Sequence, residues 1–143
     1  MTATASGVFL LAENRLLQEA LARILDKKTD LPVIGGCAFS QQAMHEIATI
    51  APGVLVLDSF TGGLHLEFLR EVRRRFADLM IVLIGMEATE SAFLQAVREG
   101  VLGYILKDAA ALDAVTAVRA AASGEAICPP QMLQVLLRCV ARQ

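Results

Sequence analysis

The sequence predicts an α/β domain in which a parallel β-sheet is covered by helices on both faces. Short, continuous apolar runs at 8–11, 54–57, 80–84 and 103–106 have the length and composition of strands that are buried on both faces. Segments with a helical period separate these runs, so strand and helix alternate along the chain. A weaker run at 31–37 completes five β-α repeats, and right-handed crossovers are expected between them.

The helical segments that follow the five runs are predicted at 15–26, 41–50, 64–76, 89–98 and 113–122. In the first of them Leu17, Leu21 and Leu25 recur on one face, which is typical of a helix lying on a sheet. Gly100 and Gly124 each follow a helical segment and are predicted at C′ positions, where a left-handed backbone ends a helix.

A sixth amphipathic helix is predicted after Pro129 and Pro130. Its apolar stripe has the spacing i, i+3, i+4, i+7, i+8 and comprises Met132, Val135, Leu136, Cys139 and Val140. Three roles are open for this helix: packing on the domain, pairing with a second copy of the chain, or leading to an output domain.

Length, composition and charge exclude several classes of protein. A chain of 143 residues is expected to form one domain, and no apolar run approaches the roughly 20 residues that a membrane span requires. The net charge of -2 argues against a domain that grips nucleic acid directly. Three widely spaced cysteines without a secretory signal favour a soluble protein of the reducing cytoplasm.

Polar residues follow three of the predicted strands. Glu13 comes after the first, Asp58 after the third and Lys107 after the fifth. Ligands of open parallel sheets bind outside the carboxyl ends of the strands, so these side chains could converge. Two carboxylates and an ammonium suit a phosphoryl group together with a hard cation such as Mg²⁺.

At these residues the sequence resembles the response-regulator receiver domains, the CheY-like superfamily, and most closely those of the NarL/FixJ type. The resemblance covers about 8–127 and rests on the stretches "VFLLAEN", "PGVLVLD", "MIVLIG", "EGVLGYILKDA" and "AASGEAI". It implies a flavodoxin-like, doubly wound sheet with strand order 2-1-3-4-5. Residues 128–143 would then be an extra C-terminal linker or dimerisation helix.

The resemblance also implies roles for individual residues. Asp58 matches the phospho-acceptor, Lys107 matches the lysine that contacts the phosphoryl group, and Tyr104 matches the aromatic residue whose rotation reports phosphorylation. In the family, the position of Gly85 is usually Thr or Ser, whose hydroxyl bonds the phosphoryl oxygen. A hydrogen bond to a charged group contributes roughly 1.5–3 kcal/mol, so its loss is expected to impair the switch.

The expected metal site departs from the family pattern as well. Two adjacent acids normally follow the first strand, whereas this chain has Ala12 and Glu13, and the loop "DSFTGGLHLE" after Asp58 lacks the usual proline. Because Mg²⁺ demands near-ideal octahedral geometry, binding by Glu13 and Asp58 is expected to be weak or absent. The sequence therefore predicts a degenerate, or pseudo-receiver, domain.

Structural interpretations of the same residues stay open. Asp58 could cap the following turn, Glu13 could interact with a helix dipole, and Tyr104 could be a core aromatic residue with its hydroxyl at the rim. His45 and His65 have no second ligand at metal-binding spacing and are interpreted as surface residues. The basic run of Arg70, Arg73, Arg74 and Arg75 is interpreted as a solvated helix face.

The leading functional hypothesis is a signalling module, not an enzyme, that regulates transcription through protein contacts. Its expected partners are a sensor histidine kinase or other signalling protein and a second copy of itself, with DNA contacted only through an output domain. A stand-alone interaction module independent of phosphorylation is the alternative. An aspartyl-phosphate hydrolase would need an acid where Phe60 stands, and a flavodoxin-like cofactor binder would need glycines and hydroxyls in "AENRLLQ".

Overall fold

The computed structural model describes residues 7–58 and 62–143, the side chains of residues 62–65 excepted. Five parallel strands form one sheet in the order β2-β1-β3-β4-β5. The elements are β1 (Val8–Leu11), α1 (Arg15–Lys28), β2 (Val33–Cys37), α2 (Gln41–Ile50), β3 (Val54–Asp58), α3 (Gly62–Arg75), β4 (Met80–Met86), α4 (Glu90–Arg98), β5 (Gly103–Leu106), α5 (Ala111–Ala122) and α6 (Pro130–Ala141). The predicted flavodoxin-like topology with an extra C-terminal helix is confirmed.

The sheet separates two apolar layers, because successive side chains of a strand point to opposite faces. Phe9 and Leu57 face the layer that α2, α3, α4 and α6 cover. Val8 and Val56 face the layer that α1 and α5 cover. Burial of each such side chain stabilises the fold by roughly 1.5–3 kcal/mol. This burial fixes the strands, and with them the positions of the residues that follow the strand ends.

β2 differs from the prediction of strands buried on both faces. It begins at Val33 and not at Leu31, and its residues alternate between half-buried and exposed. The reason is its place at the edge of the sheet, where α1 and α2 cover it only in part. Several helices also begin or end within two residues of the predicted bounds, as helix ends commonly do.

The helix ends predicted from glycines are confirmed. Gly100 follows α4 and Gly124 follows α5, with φ angles of +83° and +79°. Their backbone N–H groups donate to the carbonyls of Val97 and Ala121. These contacts satisfy carbonyl groups that the last helical turn leaves unpaired.

A short segment joins α5 to α6 along the free edge of β5. Ile127 bridges Gly103 in parallel, donating its N–H to Leu102 and accepting from the N–H of Tyr104. α6 then packs on α4 with Met132 and Val135 buried. No helix within the described ranges is long and apolar enough to cross a membrane.

The predicted stripe of α6 needs one correction. The stripe includes Val140, but this side chain is 60% exposed and does not share the buried face of Met132 and Val135. It lies on an outer face together with Leu133 and Leu137, which are 46% and 61% exposed. α6 is apolar on two faces, and the packing on α4 selects the one that contains Met132 and Val135.

Candidate functional site

A groove of about 880 Å³ lies at the carboxyl edge of the sheet and continues between α1 and α5. Among the residues that line it are Glu13, Asp58, Gly85, Glu87 and Lys107. The groove therefore brings together the acid that ends β3 and the lysine that follows β5. Their chemical roles remain predictions, whereas their shared position follows from the strand order.

Asp58 is the last residue of β3 and lies beside Ile84 of β4 in the sheet register. Asp58 is half-buried, whereas the four residues before it are buried. Residues 59–61 lie outside the described ranges, and with them most of the loop whose sequence departs from the receiver pattern. The predicted surface position of His65 also concerns a side chain that is not described.

Glu13 makes a structural contact with the loop before α2. Its Oε2 accepts a hydrogen bond from the N–H of Phe39 at 2.9 Å. Asn14, not Glu13, is the N-cap of α1, and its side chain accepts from the N–H of Leu17 at 3.1 Å. Glu13 therefore lies outside the first turn of the helix, where a dipole interaction would be strongest.

Two oxygen atoms beside the expected metal site already accept hydrogen bonds from the protein. Glu13 already has one oxygen engaged, and the carbonyl oxygen of Ala12 accepts from Gln18 Nε2 at 2.7 Å. Within residues 7–58 and 62–143 no three His, Cys, Asp or Glu side chains cluster as metal ligands would. Mg²⁺ usually keeps several waters and takes only one or two carboxylates from a protein, so weak binding by Glu13 and Asp58 stays a prediction.

Gly85 lies inside β4 and not after its end, which corrects the predicted strand boundary at residue 84. The register advances three residues on β4, from Leu83 to Met86, while β5 advances two, from Tyr104 to Leu106. The extra residue forms a bulge, and Gly85 has a φ angle of +69°. The position expected to carry a hydroxyl is therefore one where the backbone itself favours glycine.

Tyr104 is a core aromatic residue with a bonded hydroxyl. It is 2% exposed, and its ring packs edge-on against Phe93 with centroids 5.1 Å apart. The hydroxyl donates to the backbone carbonyl of Glu87 at 2.8 Å. Burial and then the nearby Glu87 carboxylate raise the pKa of Tyr104 to about 12, so the hydroxyl remains a donor at physiological pH.

Lys107 directs its ammonium group to Glu87, the residue whose carbonyl also binds Tyr104. Its Nζ donates to Glu87 Oε2 at 2.9 Å, and its backbone N–H donates to the carbonyl of Met86 at 2.9 Å. The hydrogen bond with Glu87 and the charge of that carboxylate raise the pKa of Lys107. Sequence reasoning missed Glu87, since a single acid in a loop forms no pattern.

The basic run of α3 makes intramolecular contacts. Arg70 Nε pairs with Glu99 Oε2 at 2.9 Å, Arg74 pairs with Glu71, and Arg73 Nη1 donates to the carbonyl of Ala77 at 3.2 Å. These side chains thus bind their own helix and its neighbours. His45 is exposed on α2, as predicted.

Comparison with known proteins agrees with this geometry. The response regulator receiver domain family matches residues 8–119. The transcriptional regulatory protein YvfU of Bacillus subtilis is 27% identical over 134 residues, which are 92% of this chain and 66% of YvfU. The nitrate/nitrite response regulator NarL of Escherichia coli is 25% identical, over 90% of this chain and 60% of NarL. The chain thus spans less than two thirds of either relative.

Solved structures show the same fold. A LuxR-family two-component response regulator from Aurantimonas sp. has a TM-score of 0.81 at 21% identity, covering 97% of this chain and 99% of that one. The signal receiver domain of a NarL response regulator from Mycobacterium tuberculosis has a TM-score of 0.73 at 25% identity, covering 85% and 99%. The chain belongs to the response regulator receiver domain family, and its relatives are regulators of the NarL and LuxR type.

Proposed function

We propose that this chain is an atypical receiver domain that keeps Asp58 as a weak phospho-acceptor while the groups around it are depleted. The observation that carries the proposal is the groove shared by Asp58 and Lys107. Gly85 lines this groove in place of a hydroxyl residue, and the buried Ala12 stands in place of an acid beside it. Signalling then proceeds in the cytoplasm through protein contacts to a transcriptional output, with a sensor histidine kinase or another signalling protein as the partner, and the chain itself is not an enzyme.

The chemistry proposed for Asp58 is phosphoryl acceptance. A carboxylate oxygen of Asp58 forms a bond to phosphorus, and the bond from phosphorus to the donor breaks, to a ring nitrogen in a phosphohistidine or to an oxygen in acetyl phosphate; the donor's remaining group leaves. With acetyl phosphate as donor, the leaving group is acetate. Lys107 would neutralise charge on the phosphoryl oxygens, and Mg²⁺, if held weakly by Glu13 and Asp58, would do the same.

The proposed division places the receiver in residues 8–127 and assigns 128–143 to a helix that leads to, or pairs with, a further protein surface. The outer face formed by Leu133, Leu137 and Val140 supports this assignment, because these side chains contribute little to the packing of α6 on α4. DNA would be contacted through an output domain and not by these residues.

The test is incubation with acetyl phosphate, with and without Mg²⁺, followed by intact mass measurement. We expect slow addition of one phosphoryl group that Mg²⁺ accelerates only slightly and that D58N abolishes. Fast, strongly Mg²⁺-dependent modification would contradict the depleted site, and modification that persists in D58N would contradict the acceptor.

A second function, an interaction module independent of phosphorylation, is favoured by two observations. The ammonium of Lys107 is already paired with Glu87, and Tyr104 is already packed inward. A partner that binds the protein equally before and after acetyl phosphate treatment would support this alternative.

A further inference from the structure

Glu87 fastens the loop between β4 and α4 to β5 with both its main chain and its side chain. Its carbonyl accepts from the hydroxyl of Tyr104 at 2.8 Å, and its Oε2 accepts from Nζ of Lys107 at 2.9 Å. The neighbouring Met86 adds a third bond, because its carbonyl accepts from the N–H of Lys107. The loop that follows the Gly85 bulge is therefore held at Tyr104 of β5 and at Lys107, the residue that follows this strand.

The pairing of Glu87 with Lys107 is exposed and therefore exchangeable. The side chains of Lys107 and Glu87 are 64% and 54% exposed, which places the ion pair in contact with water. Exposed pairs of this kind are weak, so a stronger anion can displace the carboxylate. A phosphoryl group on Asp58 would be such an anion, since it lies along the same groove and carries more charge.

The contact with Tyr104 is of another kind, because it is buried. The ring lies against Phe93, and the hydroxyl has the carbonyl of Glu87 as its acceptor. A buried hydroxyl without an acceptor is costly, so this bond resists exchange. The hydrogen bond between the Tyr104 hydroxyl and the Glu87 carbonyl is thus expected to persist when the Glu87 carboxylate releases Lys107.

We infer that Glu87 is the internal anion of Lys107, competing with a phosphoryl group on Asp58 while its backbone holds the β4–α4 loop on Tyr104. The competition rests on the proposed role of Asp58, whereas the pairing itself rests on the contacts of Glu87 alone. Glu87 is a positioning residue in this account, since it acts on the phosphoryl group only through Lys107.

The first test compares E87Q with E90Q, which removes the same charge three residues later at the exposed start of α4. Release of an exposed ion pair should raise the initial rate of acetyl phosphate modification by roughly two- to fivefold in E87Q. The rate in E90Q should stay close to that of the parent protein. Equal initial rates in E87Q and the parent protein would overturn the proposed competition.

A second measurement does not depend on Asp58. The chain has three lysines. Trace acetylation at alkaline pH therefore measures the reactivity of Lys107 relative to that of Lys27 and Lys28, which are internal references. Loss of the Glu87 partner should raise the labelling of Lys107 relative to these two in E87Q and leave it unchanged in E90Q. An unchanged ratio in E87Q would overturn the pairing.

The two measurements separate the possible failures. If no variant is modified at Asp58, the acceptor role and the competition both fail, and the labelling ratio still decides the pairing. If all variants are modified at one rate, the proposed function survives and the competition does not. Y104F gives a further check: loss of its bond to Glu87 should leave the Lys107 ratio unchanged, and a rise would show that the two contacts are not separate.

Discussion

Substituting Gly85 by Thr would supply the hydroxyl that the receiver pattern has and this chain lacks, yet the structure predicts that it will not restore the site. Gly85 has a φ angle of +69° in the bulge of β4. A β-branched residue held there costs about 1–3 kcal/mol. The hydroxyl could contribute roughly 1.5–3 kcal/mol with a phosphoryl group, so the strain offsets most of the gain.

The assay is urea unfolding of G85T and G85A, followed by circular dichroism. With a urea slope of about 1–3 kcal/mol per molar for small proteins, a loss of ~2 kcal/mol lowers the midpoint by about 1 M. The matched control is G124T: Gly124 has a φ angle of +79° and open space around an added Cβ, so it measures the backbone cost alone.

The result that refutes this reasoning is specific. If G85T unfolds at the same urea concentration as the unmodified protein while G124T is destabilised, the bulge does not require glycine. If G85T also gains fast acetyl phosphate modification with a change in Tyr104 fluorescence, the missing hydroxyl alone explains the depleted switch. The chain has one tyrosine and no tryptophan, so that fluorescence reports Tyr104 alone.

Two further predictions concern the core and Tyr104. L57A truncates a side chain that is 0% exposed, so thermal or urea unfolding should show a loss of about 2–5 kcal/mol in the free energy of unfolding. The control is L112A: Leu112 is 58% exposed, and its truncation should change that free energy by less than about 0.5 kcal/mol. Because the pKa of Tyr104 is raised to about 12 from about 10 in an unfolded chain, the stability it contributes should be complete below pH 10 and lost as the pH rises toward 12. Y104F should lower the free energy of unfolding by roughly 1 kcal/mol at neutral pH and remove the decrease in stability between pH 10 and 12. An alkaline decrease that persists unchanged in Y104F would contradict its assignment to Tyr104.

Sequence reasoning predicted the buried strands best and the edge of the site least. β1 in the sheet interior and β5 at its border have their predicted bounds because their residues are almost all buried and the runs are apolar from end to end. β4 continues two residues further because Gly85 resembles a strand break in sequence, whereas the bulge lets the ladder continue beyond it. Glu87 could not be predicted, since its partners come together only when β4 and β5 pair.

The same limit applies to α6. Periodicity identified an amphipathic helix, but Leu133 and Leu137 make a second apolar face, and a single sequence does not show which face packs. The contact with α4 decides this, and it places Val140 outside. Helix existence is a local property of the sequence, while helix rotation depends on a neighbour.

The two borders of the sheet differ in a way that bears on how the molecule meets other proteins. At one border Ile127 takes up hydrogen-bonding groups of the last strand, and at the other β2 offers only five residues. At the border that Ile127 lines, a guest strand would find little unpaired backbone on which to extend the ladder, so sheet-linked growth there is disfavoured. A protein that meets this border would contact side chains rather than free peptide groups.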